Sequence, residues 1–228
     1  MGRAIAASGV PRSEVFLTTK LWFDEFTANR LEPALRESLE RLDTPRADLV
    51  LLHWPNGEVP LAETLEALAR VREQGLVRHC GLSNFPVDRL EEALRLSPIP
   101  LVTNQVEYHP FIDQRPLLAR MRAAGMAMTA YCPLAQGRVA SEPLLRSIAA
   151  EHDATPAQVA LAWLLSHGDV VAIPRSSTRE HLVENLGAAS LRLDDRAIEA
   201  IGGLRARHER LIDPSFAPRW DDPGAQAA

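Results

Sequence analysis

Six short runs of β-branched and apolar residues recur along this 228-residue chain: VFLTTK (15–20), LVLLHW (49–54), HCGLSN (79–84), VTNQVE (102–107), AMTAYC (127–132) and VVAIPR (170–175). Helical patterns separate them. Leu31, Leu35, Leu39 and Leu42 follow a three-four spacing, as do Leu61, Leu65, Leu68 and Val71 before Gly75, and Leu117, Leu118 and Met121 before Gly125. Thr155 and Pro156 supply an N-cap and a first-turn proline for AQVALAWLLSHG. Strict alternation of strand and helix demands parallel strands with crossover helices, an α/β protein built either as a doubly wound sheet or as a (β/α)8 barrel.

The strand ends decide between them. Each strand finishes on, or within two residues of, a polar group: Lys20, His53, Asn84, Gln105, Tyr131 and Arg175. A barrel gathers all six at its C-terminal rim, whereas a doubly wound sheet concentrates its polar groups at one switch point. No G-x-G-x-x-G turn follows any strand. The expected fold is therefore a (β/α)8 TIM barrel with about six βα units present. Residues 1–9 read as the end of a helix, with Ile5 beside Ala4 on an apolar face and Gly9 as its left-handed stop. Counted back from six units, Met1 is expected inside the second helix of the barrel, the first two strands missing.

Composition narrows the class further. The hydrophobic content of 46% supports one large core, and no Gly/Ser- or Pro-rich linker interrupts the chain, so residues 1–228 are expected to form a single domain. A formal net charge of −5, with arginines scattered beside glutamates, leaves no basic stripe for nucleic acid. No apolar stretch reaches about eighteen residues and no signal peptide opens the chain, so a soluble, cytoplasmic protein without membrane partners is expected. Cys80 and Cys132, each inside an expected strand, read as small buried hydrophobes rather than a disulfide or a metal site.

Several rim residues carry chemistry. LLHWP ends an apolar strand with His53, followed by Trp54, and Trp22 lies two residues beyond Lys20. This places an imidazole and an ammonium at the mouth of an aromatic-walled pocket. Ser83 and Asn84, Gln105 and Tyr131 end three consecutive strands and offer amides and one aromatic face, as a nicotinamide would need. Ordinary strand-end capping explains Asn and Gln as readily. Arg175, Ser176, Ser177 and Thr178 open a helix, with Arg179 and His181 in its first turn, and a phosphate fits that positive end.

In this order and spacing, TTKLW, DLVLLHWP, GLSNF, NQVEYHP, YCPLA and IPRSSTREHLVEN resemble the aldo-keto reductases over essentially the whole chain. The closing RLIDPSFAPRWD resembles the short tail of the bacterial subgroup that includes 2,5-diketo-D-gluconic acid and methylglyoxal reductases. The resemblance implies NADPH-dependent reduction of small aldehydes and ketones by direct hydride transfer in a monomer. It assigns Lys20 and His53 to catalysis, Ser83, Asn84 and Gln105 to the carboxamide, and Tyr131 to ring stacking. Pro133 and Leu134 fall on the pyrophosphate path, Arg175, Ser176, Ser177, Arg179 and His181 at the adenosine phosphate, and Glu184 and Asn185 near adenine. Trp22 and Trp54 would wall the substrate pocket. Arg175 stands where many members have lysine, and His181 where they have arginine.

One departure bears on activity. The family's catalytic aspartate and tyrosine follow the second strand, which has no counterpart here, and neither Tyr108 nor Tyr131 matches the proton donor. The chain as written is expected to be weakly active or inactive, its native form longer if a GTG codon was read as Met1. Three rivals remain: a Schiff-base lyase using Lys20, a metal hydrolase, for which His53, His79 and His109 lack ligand spacing, and a non-catalytic NADP(H)-binding sensor or degenerate fragment without the catalytic tyrosine and aspartate.

Overall fold

The structure, a computed structural model, describes residues 1–221. All six expected strands form: β1 (Thr18–Leu21), β2 (Ala47–Leu52), β3 (Val77–Ser83), β4 (Leu101–Glu107), β5 (Ala127–Tyr131) and β6 (Val170–Ala172). They make one sheet in the order β1-β2-β3-β4-β5-β6, with β1 parallel to β2, β2 to β3 and β5 to β6. Sequential order leaves no point of strand-order reversal, so the doubly wound alternative falls and the α/β barrel class stands. Helices α1 (Gly2–Ala7), α2 (Leu31–Leu42), α3 (Leu61–Glu73), α4 (Val87–Leu96), α5 (Arg115–Ala123), α6 (Pro143–Glu151), α7 (Pro156–Leu165), α8 (Arg179–Gly187) and α9 (Asp195–Gly203), with five short 3-10 segments, complete the described elements, and one of those segments, Ala135–Ser141, is a kinked loop broken at Gln136 and Gly137. No described helix is long and apolar enough to cross a membrane.

The contacts divide the described residues into two compact units, Met1–Asn104 with Pro218–Trp220, and Gln105–Ala217 with Asp221. In the first, all six residues of β2 are buried, as a parallel strand covered on both faces must be. Leu31, Leu35 and Leu39 of α2 and Leu65, Leu68 and Val71 of α3 are buried, as their spacing predicts. Each such side chain contributes roughly 1.5–3 kcal/mol through burial. Gly9 and Gly75 stop their helices at φ of 72° and 75°, as the sequence predicts. In α1, however, Gly2 rather than Ile5 is the buried residue, because its bare Cα approaches the Leu42 backbone too closely for any side chain.

In the second unit α7 is buried from Val159 to Leu164. Its start is a capping box: the Thr155 hydroxyl accepts from Gln158 N at 3.2 Å while Thr155 N donates to Gln158 Oε1 at 3.0 Å. Trp163 fixes α7 to α9 by donating to the Ile198 carbonyl at 3.2 Å.

Strand boundaries depart from expectation for identifiable reasons. β1 begins at Thr18 rather than Val15 because a 3-10 turn, Arg12–Glu14, precedes it. The Leu17 amide is taken by the Asp48 carboxylate, at 2.9 Å. β6 ends at Ala172, and although Ile173 N still reaches Ala130 O at 3.1 Å, Pro174 has no N–H to continue the ladder. Cys132, expected inside a strand, lies one residue beyond β5, half-buried, with φ of 52°. Cys80 is buried as expected, its thiol pushed up to about 12 chiefly by desolvation.

Asp48 and Gly81 are the sharpest tests of the first unit. Asp48 accepts from Leu17 N and pairs with Arg12 at 2.9 Å and Arg78 at 3.5 Å. Burial alone would raise its pKa, but these donors hold the carboxyl below its usual range. We predict that Asp48→Asn lowers the urea-unfolding free energy by about 1–3 kcal/mol. The stability due to this group is fully present above the ordinary aspartate pKa and is lost as pH falls through the depressed folded value, so the mutant should differ less from wild type in acid. At Gly81 a Cβ would meet Thr103 O at 2.7 Å and Leu51 Cδ2 at 2.8 Å. Gly81→Ala is expected to cost about 1–3 kcal/mol in the same assay.

Candidate active site

In the first unit, β1 and β2 deliver the two candidate catalytic residues. Lys20 stands opposite Leu51 in the ladder, and His53 follows β2, its backbone N–H continuing the pairing to Leu21 O at 3.0 Å. The Lys20 side chain is open to solvent, yet enough protein surrounds its ammonium that desolvation lowers its pKa. The His53 imidazole is pushed down to about 4, first by burial and then by the Lys20 charge. Aromatic rings enclose it. Trp22 meets His53 edge-on with centroids 5.0 Å apart, Trp54 stacks at 6.5 Å, and Trp220 approaches Trp54 at 6.0 Å. The expected walls Trp22 and Trp54 are thus joined by Trp220, from a tail whose sequence carried no pocket signal.

Ser83 and Asn84 are buried where β3 ends. Asn84 adopts φ of 63°, a conformation asparagine tolerates better than most residues. Its amide Nδ2 donates to the His53 carbonyl at 3.0 Å and lies 3.2 Å from Ser83 Oγ. The loop after β2 and the end of β3 are thereby held together.

The second unit contains a cavity of about 700 Å³, within the roughly 300–1,000 Å³ of small-molecule sites. Of the expected cofactor residues, Pro133, Leu134, Arg175, Ser176, His181, Glu184 and Asn185 line it. Ser177 and Arg179 are exposed and do not line it, although His181 of the same helix opening does. Gln105 is buried at the end of β4, and Tyr131 ends β5, half-buried. Glu184 is already engaged: the Thr155 hydroxyl donates to Oε1, and His181 Nδ1 lies 2.9 Å from Oε2. Those two partners hold its carboxyl below the usual range.

Residues without a site signal in the sequence also form walls: Thr155, legible only as a helix cap, Ile173, and the loop residues Gln136 and Gly137. That loop is unusual. Cys132, Ala135 and Gln136, with φ of 52°, 47° and 53°, precede Gly137 at 90°. Each non-glycine residue in the left-handed region costs roughly 1–2 kcal/mol. Alternating strand and helix patterns carry no trace of such a bend.

The buried carboxylate of Glu107 is another residue that the sequence does not single out. It accepts from Leu211 N at 2.7 Å and Ile212 N at 2.9 Å, and His109 Nε2 stands 2.9 Å away. Burial would raise its pKa, but the hydrogen bonds hold it lowered. Both tyrosines of the chain are shifted upward. Burial is the main cause for each, with Asp113 adding to it at Tyr108 and Glu107 at Tyr131. Tyr108 OH lies 3.3 Å from His167 Nε2. No group of three His, Cys, Asp or Glu side chains suited to a metal occurs among the described residues.

Comparison with known proteins places this geometry in a family. The model of the aldo/keto reductase family matches residues 1–206. Methylglyoxal reductase DkgB of Escherichia coli O157:H7 is 41% identical over 225 residues, covering 97% of this chain and 84% of the relative. An aldo-keto reductase of Mycolicibacterium vanbaalenii is 41% identical over 205 residues, covering 90% and 73%. A crystal structure described as a 2,5-diketo-D-gluconic acid reductase B superposes with a TM-score of 0.94 at 44% identity, covering 97% of this chain and 79% of that one. A thermostable aldo-keto reductase crystallised with the inhibitor epalrestat gives 0.84 at 39% identity, covering 89% and 75%. With its polar strand ends, its aromatic-walled histidine and a family match over nearly its full length, the chain belongs to the aldo/keto reductases and is an oxidoreductase of that family.

Proposed function

We propose that this protein reduces small aldehydes and ketones to alcohols with NADPH, acting as a cytoplasmic monomer with residues 1–228 as one functional domain. The observation that carries the reading is the cavity where Arg175, Ser176, His181, Glu184 and Asn185 meet Pro133 and Leu134. Arginine and a serine hydroxyl suit a phosphate, a carboxylate and an amide suit the adenine edge, and the apolar remainder suits flat rings. In this reading Ser177 and Arg179 add to the phosphate end, Ser83, Asn84 and Gln105 bind the carboxamide, and Tyr131 stacks on the ring. The 41% identity to a methylglyoxal reductase and the likeness to a 2,5-diketo-D-gluconic acid reductase favour small dicarbonyls and keto-sugar acids as substrates.

When bound, the cofactor would supply the hydride. The chain's own part is to hold the carbonyl and exclude water. His53, with its pKa at about 4, stays neutral at ordinary pH and can donate one N–H to a carbonyl oxygen, while the partly desolvated Lys20 ammonium stabilises the negative charge developing there and can pass the alkoxide the proton that completes the alcohol, regaining it from solvent. Trp22 and Trp54 shed water from the reacting face.

A second reading, a non-catalytic NADP(H)-binding sensor, is favoured by one observation. A proton donor for this reaction needs a lowered tyrosine pKa, and burial moves both tyrosines the other way. NADPH titration followed by absorbance at its reduced-nicotinamide band, with methylglyoxal as substrate, separates the two. Binding with turnover supports the reductase, binding without turnover the sensor, and no binding removes both.

Two further outcomes are expected. Arg175→Ala should raise the NADPH dissociation constant about 5- to 10-fold, roughly 1–1.4 kcal/mol, and leave that for NADH nearly unchanged. A pH profile of turnover should show no acid limb near 6.5 from His53. Unfolded histidine takes up its proton below about 6.5 while the folded one waits until about 4, so this group withdraws stability as pH falls between those values and has no effect above them. An acid limb at 6–7 that disappears in His53→Gln would contradict the assignment.

A further inference from the structure

We propose that the tail residues Arg207–Ile212 are positioning residues for the cofactor cavity, strapping down the loop 135–141 that forms one of its walls; this rests on reading that cavity as the NADPH site. The loop contributes Gln136, Gly137, Val139 and Ala140 to the lining, and its backbone runs through left-handed conformations at Ala135, Gln136 and Gly137. Such a path persists only where surrounding contacts over-determine it.

The tail supplies those contacts. Arg207 Nη2 pairs at 2.7 Å with Oε2 of Glu142, the residue that closes the loop, is only 7% exposed and caps α6 through Leu144 N. The same guanidinium sits 5.1 Å over the Phe111 ring. Glu209 Oε2 accepts from Arg138 Nη1, in the middle of the loop, at 2.9 Å. On its other side the tail is fastened to the segment that continues β4: Glu209 N donates to Phe111 O at 2.8 Å, and Leu211 N and Ile212 N donate to the Glu107 carboxylate. His109 ties this anchor together, its Nε2 against Glu107 and its Nδ1 accepting from Phe111 N at 3.3 Å.

The loop is thus referenced to a buried point at the end of β4 through the tail, not only through its own covalent ends. Anything that orders the loop must then favour the seated tail, and the seated tail must favour whatever the loop binds, by the same factor. None of Arg138, Glu142, Arg207 or Glu209 is needed to touch the cofactor for this coupling to operate.

The test uses Arg207→Ala, Glu142→Gln, which removes the charge but keeps an oxygen to cap α6, and their double mutant, with NADPH as probe. Tryptophan-fluorescence titration reads affinity, and amide hydrogen exchange without cofactor reads the loop. Each single variant should weaken NADPH binding about 10-fold, with the double mutant little worse than either, as for two ends of one contact. Exchange at residues 135–141 should accelerate about 10-fold while the β5 amides stay protected. Glu209→Arg should weaken binding several-fold, and adding Arg138→Glu should restore it to within about twofold of wild type. Unchanged exchange in the loop, or equal acceleration in β5, would overturn the strap, as would wild-type affinity in the single variants. If the wild-type protein fails to bind NADPH, the functional reading falls and the hydrogen-exchange arm alone decides the strap.

Discussion

A parallel strand cannot be followed directly by its neighbour, since the chain must first return to the end at which it started, and that requirement shapes everything else here. Each strand is therefore joined to the next through a crossover helix, and a strand that is fully buried, as β2 is, is written almost wholly in apolar residues. β2 shows the consequence: six buried residues and then, one step beyond, a histidine. The burial that builds the strand is also the main reason why His53 resists protonation. Fold and chemistry share one cause at this position.

Two buried carboxylates show a second principle. Asp48 and Glu107 each sit where desolvation should neutralise them, and each stays ionised because several donors converge on it. Each joins a strand to a segment remote in sequence: Asp48 fastens the entry to β1, and Glu107 fastens the tail to the end of β4. Exposed helix pairs such as Glu32–Arg36 and Glu37–Arg41 share the same charges but contribute little, since water already solvates both partners. Burial and the number of donors, not the count of ion pairs, separate the structural charges from the ornamental ones.

Much of the proposed cofactor cavity is legible in the amino-acid order. Pro133, Leu134, Arg175, Ser176, His181, Glu184 and Asn185 belong to motifs near two strand ends, and all line one cavity. The parts that are not legible are of two kinds. Ser177 and Arg179 share a motif with the lining residues, yet both face solvent, since a motif fixes the order of its residues but not which side chains turn inward. Trp220 and the loop 135–141 escape because nothing periodic marks them: a tail tryptophan has no pattern, and a left-handed run of Cys132, Ala135 and Gln136 contradicts the local preference of each residue.

The amino-acid order by itself determined the six strands, helices α2, α3, α5 and α7, the stops at Gly9, Gly75 and Gly125, and the polar residues Lys20, His53, Asn84, Gln105 and Tyr131 at or near five strand ends. These follow from periodicity and from backbone rules that act over a few residues. Tertiary structure alone decided which carboxylates stay charged in the interior, where β1 and β6 begin and end, which helix-opening residues face the cavity, and how the tail grips Glu107, Glu142 and Arg138. Those outcomes depend on desolvation and on donors contributed from up to about a hundred residues away, as with Glu107 and Ile212, and a local pattern carries no information about either.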